Sequence, residues 1–166
     1  MKTLSISLCC LLSLSLTFII SPFFAHAQSA TNNAAAVKTL LDSGNYVFHA
    51  QSALPMQGTI HQLTTDYTVK VTKGKITVDL PYFGQAYAPP TDPTQSGIQF
   101  TTTAFDYFYT PRKKDGWNIR IKPKDAKDVQ QVLLTISSEG YTSLQVTSLS
   151  RQPITFNGYV AALTQK

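Results

Sequence analysis

The chain has 166 residues, of which 14 are basic and 9 are acidic, so its formal net charge is +5. This modest basic excess argues against a nucleic-acid partner and suits an ordinary soluble surface or, less strongly, contact with anionic surfaces of a cell envelope. Its two cysteines, Cys9 and Cys10, both lie near the N-terminus.

Residues 1–27 have the pattern of a cleavable secretory signal peptide. Lys2 is followed by an apolar stretch from Leu8 to Ile20, and Ala25-His26-Ala27 places small residues where a signal peptidase cuts. The apolar stretch is shorter than the roughly 20 residues of a transmembrane helix and contains serines. We expect cleavage before Gln28, export to the periplasm or the extracellular space, and a single β-rich domain over 28–166.

The first predicted element of this domain is a helix from Ala30 to Ser43. Three consecutive alanines favour helix, and Val37, Leu40 and Leu41 have the spacing of one apolar stripe. Gly44 suits the left-handed position that ends many helices. It is the one clear helix that the sequence predicts.

After Gly44 the apolar residues alternate with period two, which predicts strands with one buried face. Glycine marks the turns at Lys73-Gly74, Asp115-Gly116 and Glu139-Gly140, and Asn157-Gly158 predicts a hairpin between two short strands. The predicted strands are Tyr46–Ala53, Tyr67–Val71, Ile76–Leu80, Gly97–Thr103, Phe105–Thr110, Trp117–Lys122, Val132–Ile136, Tyr141–Leu149, Ile154–Phe156 and Tyr159–Ala161.

Short turns between successive strands, without intervening helices, indicate an antiparallel meander. A sheet of so many strands tends to curl, and closure removes its exposed edges. We therefore predict a mainly β fold, either a strongly curved antiparallel sheet or a lipocalin-like barrel of about eight strands. The N-terminal helix would pack on the sheet or plug one end; a two-sheet sandwich is the alternative.

The segment Leu80–Tyr87 combines a strand end with unusual residues. Pro81 removes a backbone donor and Gly84 permits backbone angles that other residues avoid. Its aromatic side chains either plug the core or form the rim of a ligand pocket, with the proline-rich loop 88–96 as a lid. The three candidate ligand-binding residues here are Tyr82, Phe83 and Tyr87.

Two further candidate sites lie in the second half of the chain. Tyr107 and Tyr109 share one face of their strand with Phe105, where they either join the core or line a pocket. A basic hairpin follows, and it either binds an anionic glycan, a lipid headgroup or an acidic partner, or is a solvated surface that protects an edge strand. Its candidate residues are Arg112, Lys113, Lys114, Arg120 and Lys122.

Several segments together resemble the DUF4251 family, secreted proteins of unknown function found chiefly in Bacteroidota. The most specific is Leu80-Pro81-Tyr82-Phe83-Gly84 with Ala86 two residues on. The others are Ser43-Gly44-Asn45-Tyr46, Tyr67–Val71, Gly97–Phe100, and Arg151-Gln152-Pro153-Ile154 with Gly158. The resemblance covers nearly all of 28–166 and implies an envelope location and a lipocalin-like β domain, but no catalytic residues.

Residues that carry chemistry are few once the leader is removed. Both cysteines leave with it. The remaining histidines, His49 on the first predicted strand and His61 in the loop region beyond it, do not match a metal-ligand spacing, so we expect no metal and no cofactor. No Gly-x-Ser-x-Gly nucleophile motif and no paired carboxylates are present. We therefore expect a non-enzymatic envelope protein that binds an apolar or glycan-like ligand. A structural or protein-interaction module is the alternative, and a hydrolase-type enzyme the weakest one.

Overall fold

A computed structural model describes residues 25–87 and 97–163, with side chains from residue 33 onward. Residues 1–24 of the predicted signal peptide and the proline-rich loop 88–96 lie outside the described residues. Within the described part of the chain, no helix is long and apolar enough to cross a membrane.

Helix α1 (Ala25–Ser43) confirms the predicted helix and begins three residues before Gln28, the first residue after the predicted cleavage site. Gly44 ends it as expected: its φ is +65° and its N–H donates to the Leu41 carbonyl over 3.1 Å. Val37 and Leu41 are buried, so the apolar stripe packs on the barrel. The helix contacts the first and last strands and lies beside Gly140 in a turn, so it covers one end of the barrel.

Nine strands follow, and together they form one sheet. Eight of the nine begin within three residues of a predicted strand; β2 begins six residues earlier than predicted, at His61. In chain order they are β1 (Tyr46–Pro55), β2 (His61–Thr72), β3 (Lys75–Leu80), β4 (Ile98–Thr102), β5 (Phe105–Pro111), β6 (Trp117–Pro123), β7 (Val129–Ile136), β8 (Tyr141–Ser148) and β9 (Ile154–Ala162).

The sheet has the order β4-β3-β2-β1-β9-β8-β7-β6-β5, and all its pairings are antiparallel. Strand direction therefore alternates along this order, so the two edge strands, β4 and β5, run the same way. Only Thr103 and Ala104 separate them in sequence. They are two halves of one bent strand, whose first half pairs with β3 and whose second half pairs with β6.

The bend is fixed by hydrogen bonds. The Ala104 N–H donates to the Thr102 hydroxyl over 3.1 Å, and the Ala104 carbonyl accepts from the Lys124 N–H over 2.8 Å. Because one chain segment serves both edges, the edges are drawn together and the sheet curls into a nearly closed barrel. This confirms the predicted curved antiparallel fold and removes the sandwich alternative.

The barrel interior is filled by large side chains that alternate inward along the strands. Tyr46, Phe48, Leu134 and Phe156 are completely buried. Burial of a side chain of this size contributes about 1.5–3 kcal/mol. The protein's own core therefore occupies the barrel axis, which is where a lipocalin-like barrel would hold an apolar ligand.

Two sequence predictions near the middle of the sheet are wrong. Asn157-Gly158 does not form a turn, because β9 runs straight through it and pairs with both β1 and β8. Gly158 serves close packing instead: a Cβ there would lie 1.9 Å from the His49 carbonyl oxygen. His61 is not in a loop; it is the first residue of β2.

Candidate binding surface

The aromatic segment after β3 folds across the end of the barrel opposite α1. Tyr82 and Phe83 are partly buried and pack against the core, whereas Tyr87 is 68% exposed. Phe83 stacks on His61 with ring centroids 4.3 Å apart. Beyond Gly84 the backbone pairs with the β8–β9 loop, through an isolated bridge between Ala86 and Arg151. Of the three candidate residues here, two therefore pack as a plug and one is left on the surface.

Arg151 fastens this plug. Its Nη1 donates to the Gly97 carbonyl over 2.9 Å, its Nε lies 3.4 Å from Asp128 Oδ2, and its guanidinium lies over the Tyr82 ring at 5.2 Å. The Tyr82 hydroxyl donates to the Gln85 carbonyl over 2.8 Å. Burial raises the pKa of Tyr82, while the nearby Arg151 charge acts in the opposite direction. These contacts explain the Leu80–Tyr87 segment as a structural element that closes this end of the barrel.

Tyr107 and Tyr109 lie near the other end, below α1. The Tyr107 and Tyr46 hydroxyls are 3.3 Å apart, and both tyrosines have raised pKa values, chiefly because burial disfavours the phenolate. The pKa of Tyr109 is raised by burial and, to a smaller extent, by the nearby Asp42 carboxylate. The structure thus places these two candidate residues near the opposite end of the barrel from Tyr82, Phe83 and Tyr87, where they pack against the core.

The basic candidates lie on the outer surface of the β5–β6 hairpin. Arg120 and Lys122 point outward from β6, opposite Phe108 and Asp106 of β5. The other three occupy the connecting turn and are also exposed: Arg112, Lys113 and Lys114. They form a surface patch on this hairpin.

A row of side chains that the sequence did not single out crosses the exterior of β8, β9, β1 and β2. Tyr141 pairs with Tyr159, Tyr159 with His49, and His49 with Thr68. The two tyrosines are 65% and 39% exposed, and the His49 and Tyr159 rings stack with centroids 5.2 Å apart and planes 19° apart. We call this row the aromatic band. On the outer surface the His49 and Tyr159 rings thus stack on each other, and Tyr141 follows them in the same row.

An open groove of about 280 Å³ adjoins the aromatic band. At its wall His49 Nδ1 lies 2.7 Å from Asp66 Oδ1, and the Asp66 side chain is 73% exposed. Thr68 and Val47 point outward yet are buried, so they form its floor. The groove is lined by Val47, His49, Asp66, Thr68, Lys70, Ala161, Ala162 and Leu163.

Sequence reasoning missed the pairing of His49 with Asp66, because it requires the register of β1 against β2. His49 is opposite Thr68, so Asp66, two residues earlier on the same face, is its diagonal neighbour. The period-two alternation could show that both side chains point outward, but it could not show which residues of β1 and β2 lie opposite one another. In the described ranges no three His, Cys, Asp or Glu residues are grouped as metal ligands.

The fold and these surfaces define a barrel-like antiparallel β domain with a filled interior and polar and aromatic groups on its outside. The family model for a domain of unknown function, DUF4251, matches residues 28–160. The chain therefore belongs to the DUF4251 family, as the sequence resemblance predicted.

One solved structure with this architecture is the crystal structure of a DUF4251 family protein from Bacteroides eggerthii DSM 20697. It is 17% identical, with a TM-score of 0.57, and the match covers 81% of this chain and 88% of that one. At this identity the likeness shows the fold. No functionally curated protein matches the chain.

Proposed function

We propose that the protein is an exported, non-enzymatic binding protein for a glycan, and that the ligand lies along the aromatic band with its polar groups in the adjoining groove. The observation that carries this proposal is the exposed Tyr159–His49 stack beside Asp66. Exposed aromatic rings next to the Asp66 carboxylate and the Lys70 ammonium suit a sugar, because a sugar presents both C–H faces and hydroxyl groups.

The geometry favours a glycan over an apolar ligand. An apolar molecule is best held by enclosure, but the interior positions that would enclose it are taken by side chains such as Phe48 and Phe156. The groove, by contrast, is open and has Lys70, Asp66 and His49 on its walls. Tyrosine is well suited to such a surface because it offers a broad apolar ring with a polar tip.

Export is part of the proposal and rests on the N-terminal sequence pattern of Lys2, an apolar stretch and Ala25-His26-Ala27. An envelope location would bring the domain into contact with polysaccharides. We therefore place the protein in the periplasm or outside the cell.

Binding without catalysis is the simplest role for the His49–Asp66 pair. A histidine oriented by a carboxylate is also part of hydrolytic triads, but such a site needs a nucleophile within hydrogen-bond reach of the imidazole. Among the described residues the imidazole's hydrogen bond is to Asp66, and no serine or threonine hydroxyl is bonded to the ring. The pair instead fixes the ring that stacks on Tyr159.

A glycan array probed with the purified protein tests the proposal, followed by calorimetric titration of each hit. Tyr159→Ala removes the centre of the aromatic band and should weaken binding at least about tenfold, the equivalent of 1.4 kcal/mol. Tyr87→Ala is the matched control, since it removes an exposed tyrosine from the opposite barrel end, and it should bind like the unmodified protein.

Two results would contradict this proposal. One is a hit for which Tyr159→Ala and Tyr87→Ala bind equally well, because the aromatic band would then not be the contact surface. The other is release of new reducing ends from a bound glycan, abolished by His49→Gln, which would make the protein a hydrolase.

A further inference from the structure

A second surface, independent of the aromatic band, lies at the free edge of β5. This strand pairs with β6 along its whole length, from Phe105 opposite Pro123 to Pro111 opposite Trp117. On its other side no described strand is paired with it. The bent strand explains why: β3 pairs only with the β4 half, and its last partner there is Thr102.

The hydrogen bonds at the two ends of the hairpin show which backbone groups face this edge. Arg112 N–H donates to the Gly116 carbonyl over 2.9 Å, and Lys124 N–H donates to the Ala104 carbonyl over 2.8 Å. Bonded pairs alternate along an antiparallel ladder, so both bonds assign the even-numbered residues of β5 to pairing with β6. The N–H and C=O groups that point to the free edge belong to Phe105, Tyr107 and Tyr109.

The sequence of β5 lacks most of the side-chain features that normally prevent strand addition. Proteins protect free edges with lysines, prolines or bulges. Within β5 the only charged residue is Asp106, which lies 2.6 Å from the Lys124 ammonium, and the only proline is the last residue, Pro111. Phe108 points outward and is 51% exposed, which adds an apolar contact beside the edge.

Cations outnumber carboxylates around the edge. Arg120 and Lys122 project from the same outer face as Phe108, on the strand next to β5. A strand added to β5 would lie about 5 Å from it and within reach of these long side chains. The turn that follows β5 carries three more exposed cations: Arg112, Lys113 and Lys114.

We propose that the free edge of β5 binds an extended acidic segment of a partner protein, which adds to the sheet as a further strand. Main-chain bonds to Tyr107 and Tyr109 supply affinity, and the cations select acidic side chains. An acidic segment is favoured over a second copy of this chain, since antiparallel pairing of two β5 edges would bring the basic turn of each copy toward Lys122 of the other.

The probe is a synthetic acetylated peptide of four alternating glutamate–valine repeats, with the lysine–valine peptide as its counterpart. Binding is followed by fluorescence anisotropy and by residue-resolved hydrogen exchange. The amides of Phe105, Tyr107 and Tyr109 should exchange quickly in the free protein and at least tenfold more slowly with the acidic peptide. The amides of Asp106 and Phe108 are already bonded to β6 and should change little.

Charge-reversal variants separate a specific contact from general attraction. Lys113→Glu with Lys114→Glu should weaken peptide binding at least fivefold. Lys73→Glu with Lys75→Glu makes the same change of charge in the exposed β2–β3 turn and should weaken it less than twofold.

Three outcomes would overturn the proposal. The acidic peptide could bind without slowing the odd-numbered amides, or both peptides could bind equally. The free protein could also already protect those amides, either within one chain or in a dimer seen by sedimentation. Failure of glycan binding leaves this proposal unaffected, because the aromatic band lies on other strands.

Discussion

Replacement of Gly158 by alanine should be among the most damaging single-methyl changes in this protein. A Cβ at this position would lie 1.9 Å from the His49 carbonyl oxygen and 2.9 Å from its carbonyl carbon, and 3.1 Å from the Phe48 ring. Real Cβ atoms stay at least 3.0 Å from such atoms, so β9 must move from β1 by about 1 Å. This shift would occur in the longest pairing of the sheet.

The expected cost can be stated from the structure. Overpacking a core costs about 1–3 kcal/mol, and backbone cannot yield as a flexible side chain can, so we expect about 3 kcal/mol or more. For a domain of this size that corresponds to a fall in Tm of roughly 10 °C. Urea unfolding followed by circular dichroism, together with calorimetry, measures both quantities.

Gly74→Ala is the matched control. A Cβ at Gly74 meets nothing within 4 Å, so this variant should stay within about 0.5 kcal/mol of the unmodified protein. The reasoning would be refuted if Gly158→Ala unfolded within 1 kcal/mol of the unmodified protein, or if both variants lost the same stability.

Two further predictions concern the ends of the barrel. Arg151→Lys cannot keep both the bond to Gly97 and the contact with Asp128, so it should lower the free energy of unfolding by about 1–3 kcal/mol in urea denaturation; an unchanged midpoint would disprove the fastening role. The pKa values of Tyr46 and Tyr107 are raised in the folded state, so the unfolded chain loses these protons first as pH rises. Stability should be unaffected by them below about pH 10 and should fall above it, less steeply in Tyr46→Phe; equal slopes would show that burial does not control their ionisation.

Much of the fold follows from local sequence signals. Period-two alternation placed the strands, and glycines at positive φ made two of the predicted turns, at Gly116 and Gly140. The Gly44 helix end was equally local. These features could be predicted because each depends on neighbours within a few residues along the chain.

The errors arise where distant strands decide the outcome. Asn157-Gly158 has the composition of a turn, but β9 is held straight by β1 and β8 on its two sides, and this tertiary pairing overrides the local preference. The same limit hid the aromatic band. Tyr159 and His49 are neighbours through a pairing between the first and last strands, which no short sequence window contains.

The pairing of β1 with β9 also has a consequence for how the protein folds. Seven of the eight pairings among the described strands join neighbours in sequence, so β1–β4 and β5–β9 can each form by local hairpin closure. The pairing of β1 with β9 joins residues as distant as Tyr46 and Ala162, and such contacts set slow folding rates because a long loop must close first. His49 and Tyr159 face each other across this pairing, so the proposed binding surface forms only when it closes. A ligand bound there would stabilise only the completed fold, and its presence would raise Tm in proportion to the logarithm of its concentration.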